Sequence, residues 1–281
     1  MTMMEDQLQK TEQKPHEPPM TAKEELSEFF RTALVAVILA LLIRTFMYEP
    51  FNIPSGSMKP TLEVGDYLFV SKPAYGYSKH SFPFSFAPIE GRIFSKEPQR
   101  GDIVVFKLPA NPRIDYIKRV VGLPGETVQV RDGRLYIDGV IVPREPVGLQ
   151  HIKDEHRGEV TPMEYIETLP GGVIHSIYEE SDAQGYDNTE LFVVPEGHYF
   201  MMGDNRDNSQ DSRAPEGGVG YVPFENFVGK ADFIFFSTNG TARLLEIWKW
   251  PWSIRYDRFF IGLEPVRPAA PDNAGKEPKG E

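Results

Sequence analysis

Cysteine is absent from this chain of 281 residues, and basic residues are scarce. Without cysteine the chain has no disulfide bond, no thiol nucleophile and no cysteine-ligated metal. Its 30 lysine and arginine residues are outnumbered by 41 acidic residues, which gives a net charge of −11 at pH 7. A nucleic-acid-binding protein needs a basic surface, so this charge balance predicts that nucleic acid is not a partner.

Long apolar runs are also scarce, and the one that stands out lies near the N-terminus. Residues 32–43 are uncharged between Arg31 and Arg44, but a membrane span needs about 20 apolar residues. The wider window of residues 29–48 is long enough, and arginines near its ends can reach the lipid headgroups. We therefore predict a single transmembrane helix. A cleaved signal peptide and a buried helix of a soluble protein are alternatives, although bulky residues follow the run where a signal peptide would have a small-x-small site.

The composition around this helix predicts four segments. Residues 1–27 are polar and proline-containing, which predicts a disordered cytoplasmic tail. Residues 28–49 form the membrane anchor, which Pro50 and Pro54 end because proline interrupts a helix. Residues 50–266 form the globular domain, and residues 267–281 form a second disordered tail. Within the domain we interpret residues 143–195 as a variable β-rich insertion without a catalytic role.

The globular domain is predicted to be mainly β. Asp132-Gly133 and Asp138-Gly139 each separate short apolar runs, a strong signal for a tight hairpin. Asn239-Gly240 predicts a further hairpin tip, and no long amphipathic helix is predicted after residue 50. The predicted strands are residues 102–106, 115–121, 126–130, 135–137, 140–142, 163–169, 173–178, 199–202 and 232–237.

Ser57 is the candidate nucleophile, because it lies on a turn shaped by Pro54 and Gly56 close to the membrane helix. It needs a base, and none of the six histidines lies in a context typical of a catalytic triad. Lysine can serve when burial lowers its pKa. In a strand, Lys118 shares one face with Tyr116 and Val120, which is apolar as a lowered pKa requires. The alternative is an ordinary edge-strand lysine that reaches water.

Three separate motifs resemble those of one enzyme family. Residues 51–62, FNIPSGSMKPTL, are similar to the nucleophile segment of type I signal peptidases. Residues 100–106 and 115–125, RGDIVVF and DYIKRVVGLPG, resemble the lysine-bearing region of that family. Residues 203–213, GDNRDNSQDSR, resemble its last signature. The resemblance implies a signal-peptidase-type antiparallel β-sheet fold and a Ser-Lys serine protease.

The resemblance also implies roles for individual residues. Ser57 corresponds to the nucleophile and Lys118 to the general base, while the Ser55 hydroxyl and the Ser57 N–H correspond to the oxyanion hole. Ser209 matches the serine that orients the lysine, and Asp211 with Arg213 match a supporting ion pair. From the residues alone this pair could equally lie on the surface. Asp204 and Asn205 are interpreted as turn residues, and no metal or cofactor is implied.

The substrates implied are secretory preproteins, cleaved after a small-x-small motif. The resemblance further implies a bacterial inner membrane, with the N-terminus in the cytoplasm and the catalytic domain in the periplasm. Apolar residues match positions that line pockets for the small side chains, although they could equally be core: Phe51, Ile53, Met58, Leu62, Tyr116 and Ile117.

Two aromatic stretches are typical of a protein at a membrane surface. Phe82, Phe84 and Phe86 alternate in one of them, and the other contains Trp248, Trp250 and Trp252. Aromatic side chains favour the headgroup region of a bilayer, which predicts contact with lipid. A strand with one buried aromatic face is the alternative.

Two other classes of protein stay open from the sequence. A non-catalytic, membrane-tethered β-scaffold would explain the fold and the anchor, but not Ser57, Lys118 and Ser209 together. A repressor-type self-cleaving protease uses related Ser-Lys chemistry, but it would need a DNA-binding module.

Overall fold

The computed structural model describes residues 21–267, except residues 83, 84, 86, 155, 156, 215, 216 and 242–245. Contacts divide the chain into two compact units, Met1–Leu42 and Ile43–Glu281. Most of both predicted tails lies outside the described residues. Residues 22–27 of the first predicted tail are helical, because Glu24 accepts hydrogen bonds from the backbone N–H and the hydroxyl of Thr21 and so caps a helix.

The N-terminal helix α1, Ala22–Phe46, has 25 residues and no buried side chain. At 1.5 Å per residue it is about 37 Å long, compared with about 30 Å for the hydrocarbon core of a bilayer. It is long and apolar enough to cross a membrane, although a signal sequence can pass the same test. The helix ends before the predicted boundary at residue 49, because Tyr48 already pairs with Ser71 in a sheet.

Eight described strands form one antiparallel sheet. They are β1 (Tyr48–Asn52), β2 (Asp66–Ser71), β3 (Ile103–Leu108), β4 (Asn111–Gly122), β14 (His198–Met202), β15 (Tyr221–Pro223), β16 (Phe227–Ser237) and β17 (Ile261–Gly262). Their order is β1-β2-β16-β3-β4-β14-β15, and β17 pairs with β16. The fold is therefore mainly antiparallel β.

Three smaller sheets are built from the remaining described strands. The strands are β5 (Thr127–Arg131), β6 (Arg134–Ile137), β7 (Val140–Ile141), β8 (Arg144–Leu149), β9 (Ile152–Asp154), β10 (Gly158–Val160), β11 (Met163–Leu169), β12 (Val173–Glu179) and β13 (Phe192–Val193). Their orders in the three sheets are β13-β5-β6-β7, β12-β11-β8 and β10-β9.

The two predicted Asp-Gly hairpins are present. Asp132 and Gly133 have φ of 47° and 67°, and Asp138 and Gly139 have φ of 50° and 74°. Positive φ at both central residues is what a type I′ hairpin turn requires. The hairpin predicted at Asn239-Gly240 is wrong, because Thr238 instead forms an isolated bridge with Ile254.

Buried apolar side chains form three clusters, and these position the chemistry described below. The first contains Met58 and Leu62 beside strands β2, β3 and β16, so it holds the turn that carries Ser57. The second joins Leu169 and Val173, from the segment interpreted as an insertion, to core residues of β5, β6 and β14. That segment therefore shares a core with the rest of the domain. The third lies around Val104 and Val120, next to Lys118 in the sheet.

Several strands were not predicted from the sequence, among them β1 and β2. β1 contains Pro50, which is tolerated because β1 pairs only with β2 and lies at the sheet edge. The tryptophan stretch is not a strand, because it forms a 3-10 turn at Ile247–Lys249 and a short helix α2, Trp250–Ser253. In the other aromatic stretch, Phe84 and Phe86 lie outside the described residues.

Candidate active site

Ser57 lies in a one-turn 3-10 helix, Gly56–Met58, between the end of β1 and the start of β2. Ser55 precedes this turn in an extended conformation, with φ −134° and ψ 153°. Met58 is fully buried and Leu62 donates its backbone N–H to the Met58 carbonyl at 2.9 Å. Met58 and Leu62 therefore anchor the turn to the core, while Ser57 stays partly exposed.

Lys118 approaches Ser57 from strand β4, where it lies opposite Val104 of β3. Lys118 Nζ donates a hydrogen bond to Ser57 Oγ at 2.6 Å. The lysine side chain is only 3% exposed, so it is not the water-reaching edge lysine of the alternative interpretation. The amine and the hydroxyl are thus in direct contact across 61 positions of sequence.

Burial lowers the pKa of Lys118 to about 8 from its ordinary value of 10.5. Asp211 and Asp204 act in the opposite direction because their negative charges favour the ammonium form, whereas Arg213 lowers the pKa further. A lysine with a pKa near 8 is neutral in a substantial fraction of molecules at mildly alkaline pH. In that form it can accept a proton from a serine hydroxyl.

Asn205 fixes the turn that carries the serine. Its side-chain Nδ2 donates to the Gly56 carbonyl at 3.0 Å, and its backbone N–H donates to the Ser57 carbonyl at 3.1 Å. Asn205 was interpreted from the sequence as a turn residue only. The contacts join residues far apart in the chain, so no local pattern signals them, although the motif that contains Asn205 was identified.

Gly203 lies where the loop after β14 approaches the turn that carries Ser57. A Cβ atom at this position would collide with Ser209 Oγ and with the Ser57 carbonyl oxygen. Only glycine leaves room for this approach of the loop after β14 to the serine turn.

Asp211 and Arg213 form a buried ion pair rather than a surface pair. Arg213 Nε lies 3.0 Å from Asp211 Oδ1, and Arg213 NH2 lies 2.9 Å from Asp211 Oδ2. The pair also organises the loop, because Asp211 accepts from the Gly203 N–H and Arg213 donates to the Arg206 carbonyl. Both residues therefore support the segment that faces Ser57.

Ser209 and Ser55 have different surroundings. Ser209 is buried beside Gly203, and its hydroxyl has no hydrogen-bond partner among the residues that the structure describes. Its assignment as the residue that orients the lysine stays a prediction. Ser55 is exposed and lines the same cavity as Ser57 and Lys118.

This cavity is the opening through which a substrate can reach Ser57. It has a volume of about 340 Å³, and among its walls are Tyr116, Ile117, Asn208 and Gln210. β4 pairs with β14 only from Arg119 onward, so its preceding residues have no strand on that edge within the described chain. The cavity thus runs beside an unpaired strand edge.

The residues predicted to bind substrate divide into two groups. Tyr116 and Ile117 line the cavity. Ile53, Met58 and Leu62 belong to a buried core cluster, and Phe51 and Ile117 pack against that cluster. For the three buried residues, the structure shows the core role that the sequence left open, and a contact with substrate stays a prediction.

A second buried network lies behind the loop after β14 and includes residues that sequence reasoning missed. Arg119 binds Asp204 through Nε at 2.8 Å and NH2 at 2.6 Å. Arg206 binds both carboxylate oxygens of Glu167. His175 Nε2 lies 3.5 Å from Glu167 Oε2 and 4.0 Å from Asp204 Oδ1. Glu167 and His175 belong to residues 143–195, so this segment supports the loop beside the serine.

The geometry of Ser57 and Lys118 is typical of one class of enzyme. A serine hydroxyl in contact with a buried amine, beside a cavity open to solvent, is the arrangement of a serine hydrolase with a lysine in place of histidine.

Comparisons with known proteins agree with this class. A family model described as "Signal peptidase, peptidase S26" matches residues 26–236. Signal peptidase I of Rickettsia conorii is 43% identical over 260 residues, which covers 86% of this chain and 94% of the relative. Signal peptidase I of Rickettsia canadensis is 44% identical over 244 residues, with 81% and 89% covered.

A solved structure, that of a signal peptidase I from Enterococcus faecalis, is 30% identical with a TM-score of 0.27 and covers 48% of this chain and 97% of its own. From the family match and the relatives, the chain belongs to the signal peptidase family, peptidase S26, and is a signal peptidase hydrolase. The resemblance found in the sequence is confirmed.

Proposed function

We propose that this chain is a membrane-anchored serine endopeptidase that removes N-terminal signal peptides from secreted preproteins by cleavage after a small-x-small motif. Ser57 is the nucleophile and Lys118 is the general base. The observation that carries the assignment is the 2.6 Å separation of Lys118 Nζ and Ser57 Oγ.

The reaction begins with neutral Lys118, which accepts the Ser57 hydroxyl proton as Oγ attacks the carbonyl carbon of the scissile bond. The tetrahedral oxyanion accepts hydrogen bonds from the Ser57 backbone N–H and the Ser55 hydroxyl, and donors of this kind contribute roughly 3 kcal/mol each. The Lys118 ammonium then protonates the leaving amine. Water, deprotonated by Lys118, releases the signal peptide from Ser57 and restores the enzyme.

The mode of substrate binding is supported by the unpaired edge of β4. An extended peptide can add to such an edge through backbone hydrogen bonds, and its alternate side chains then point into the wall of the site. Tyr116 and Ile117 form that wall, with packed core beneath Ile117. A shallow wall of this kind accepts small side chains and excludes large ones, as the small-x-small motif requires.

The proposed location is the bacterial inner membrane, with a single span, the N-terminus in the cytoplasm and the catalytic domain in the periplasm. The length of α1 and its lack of buried residues support the span. Exposed Trp248 and Trp252 support contact with lipid headgroups, where tryptophan is favoured. Lipid and secretory preproteins are thus the proposed partners.

The decisive experiment incubates the purified full chain, in detergent, with a preprotein that carries a signal peptide. The intact chain is expected to release the mature protein, and Ser57→Ala is expected to abolish release. Substrates with large residues at positions −1 and −3 are expected to resist cleavage. If the intact chain cleaves nothing, the non-catalytic scaffold is the better explanation, and indifference to residue size would refute the small-x-small assignment.

A further inference from the structure

A cluster of three carboxylates outside the active site has no role in the proposed reaction. Glu179, Asp187 and Asp207 each place one oxygen within 4.8 Å of the others. Glu179 is the last residue of β12, and Asp187 lies between β12 and β13. Asp207 lies in the 3-10 turn Arg206–Asn208 of the loop after β14. Three segments separated in sequence thus bring negative charge to one point.

Two of these side chains are buried and incompletely satisfied. Glu179 is 3% exposed and Asp187 is 1% exposed. Glu179 Oε1 and Asp187 Oδ1 are both without a hydrogen-bond partner among the described residues. A buried, unpartnered carboxylate oxygen is costly unless a cation or a donor meets it. The two orphaned oxygens therefore point to a ligand that supplies positive charge.

Two other oxygens of the cluster are held by backbone donors. Asp207 Oδ2 accepts from the N–H of Glu180 at 2.7 Å and of Ser181 at 3.1 Å. Asp187 Oδ2 accepts from the Gln184 N–H. These bonds fix the orientation of two carboxylates and leave one oxygen of each for a further ligand.

Arg144 forms an ion pair with only one acid of the cluster, Glu179. Arg144 NH1 lies 3.7 Å from Glu179 Oε2, which is beyond hydrogen-bond distance. Its hydrogen bonds are directed elsewhere, to the Gly133 carbonyl at 2.9 Å and to Asp182 at 2.6 Å. Arg144 thus faces Glu179 Oε2 alone and leaves Glu179 Oε1 without a partner among the described residues.

Two further arginines near Glu179 are matched by other acids. Arg206 binds Glu167 and Arg213 binds Asp211, each through two nitrogens. Neither of these two arginines makes a hydrogen bond or an ion pair with the three acids among the described residues.

We propose that Glu179, Asp187 and Asp207 bind a Ca²⁺ ion, which joins the end of β12 and the following loop to the loop that carries Asn205 and Ser209. Calcium takes carboxylate oxygens at about 2.3–2.6 Å, so ligands on opposite sides of it can be about 5 Å apart. Magnesium requires about 2.0–2.1 Å and strict octahedral geometry, which suits this spread of oxygens less well. The ion is structural and takes no part in peptide hydrolysis.

The test uses the full chain in detergent, freed of metal with a chelator and titrated with CaCl2 while its unfolding midpoint is measured. Calcium at a hundredfold excess over its dissociation constant is expected to raise the midpoint by about 5 °C or more, and Mg²⁺ by less. Asp187→Asn is expected to abolish the calcium shift. Glu190→Gln, which alters an exposed acid of the same loop, is the matched control and is expected to retain it.

A second measurement does not depend on the folding of any variant. Tb³⁺ is expected to emit when tyrosine is excited, since Tyr186 adjoins Asp187, and Ca²⁺ is expected to quench this emission by displacement. Equal calcium shifts in the wild type and Asp187→Asn would overturn the proposal, as would the lack of displaceable Tb³⁺ emission. A metal-free Asp187→Asn that is more stable than a wild type without any calcium shift would instead show that the acids share protons.

Discussion

Two buried bases, Lys118 and His175, lie on either side of the loop after β14, and their surroundings differ. Lys118 contacts Ser57 and opens on the cavity beside β4. His175 faces Glu167 and Asp204, and neither of its ring nitrogens has a hydrogen-bond partner among the described residues. Burial lowers the pKa of both, to about 8 for the lysine and about 4 for the histidine. Burial alone therefore does not distinguish the two residues, whereas contact with the proposed nucleophile does.

Adjacent residues of one loop separate the two environments. Asp204 binds Arg119 on the side of the histidine, whereas Asn205 holds the serine turn on the other side. The same short segment thus serves a structural ion pair and the chemistry. Substitutions on each side can test whether the two sides differ in function as they do in geometry.

The largest expected difference in activity is between a substitution of Lys118 and a substitution of His175. Lys118→Ala is expected to lower kcat/KM for a preprotein by about 10⁴-fold, because the serine loses its proton acceptor. His175→Gln is expected to change it by less than about tenfold, since the histidine does not contact Ser57. A folded His175→Gln protein that is as inactive as Lys118→Ala would reverse the comparison.

The stability of the fold at acid pH is expected to depend on His175. The native pKa of His175, about 4, lies below its ordinary value of 6.5, so the unfolded chain binds the proton first as the pH falls. The neutral histidine therefore stabilises the fold above pH 6.5, and this contribution of about 3 kcal/mol is lost between pH 6.5 and 4. Urea unfolding in detergent at pH 7 and 4.5 should show a smaller loss for His175→Gln than for the wild type. Equal losses would contradict the assignment.

The contacts of Asn205 provide a test of positioning. Asn205→Ala is expected to lower kcat by about 10- to 100-fold with a smaller change in KM, because the serine turn loses a hydrogen bond that holds it near Lys118. Asn188→Ala, at an exposed asparagine, is the matched control. A change confined to KM would indicate that Asn205 binds substrate and does not position Ser57.

The pH dependence of activity should identify which base titrates. Protonated Lys118 cannot accept the serine proton, so kcat/KM is expected to rise about tenfold per pH unit and to level off above a pH of about 8. The profile of His175→Gln should coincide with that of the wild type. A midpoint near 6.5 that shifts in His175→Gln would mean that the histidine is the base.

The sequence predicted those parts of the molecule that local patterns encode. The apolar run around residues 32–43 predicted α1, and the Asp-Gly pairs predicted two hairpins with the required positive φ. The alternation around Lys118 predicted a strand with an apolar face. These features depend on neighbours along the chain, which a single sequence shows.

What escaped prediction depends on contacts between distant segments. Asn205 was interpreted as a turn residue because its partners, Gly56 and Ser57, are far away in sequence. Glu167 and His175 were placed in an insertion without a role, yet they pack behind the catalytic loop. β1 was missed because Pro50 favours a break in structure, and only its edge position makes a strand possible there.

The short stretch between α1 and the serine limits where this enzyme can act. α1 ends at Phe46, and Ser57 lies in the 3-10 turn Gly56–Met58. The chain between Phe46 and Ser57 therefore spans at most roughly 40 Å even when fully extended. For a bilayer-spanning α1, as proposed above, catalysis is confined to a thin layer next to the membrane. A preprotein held in the same membrane then meets the enzyme at a higher local concentration than a soluble peptide does. Tethering thus selects substrates by location before any side chain is recognised.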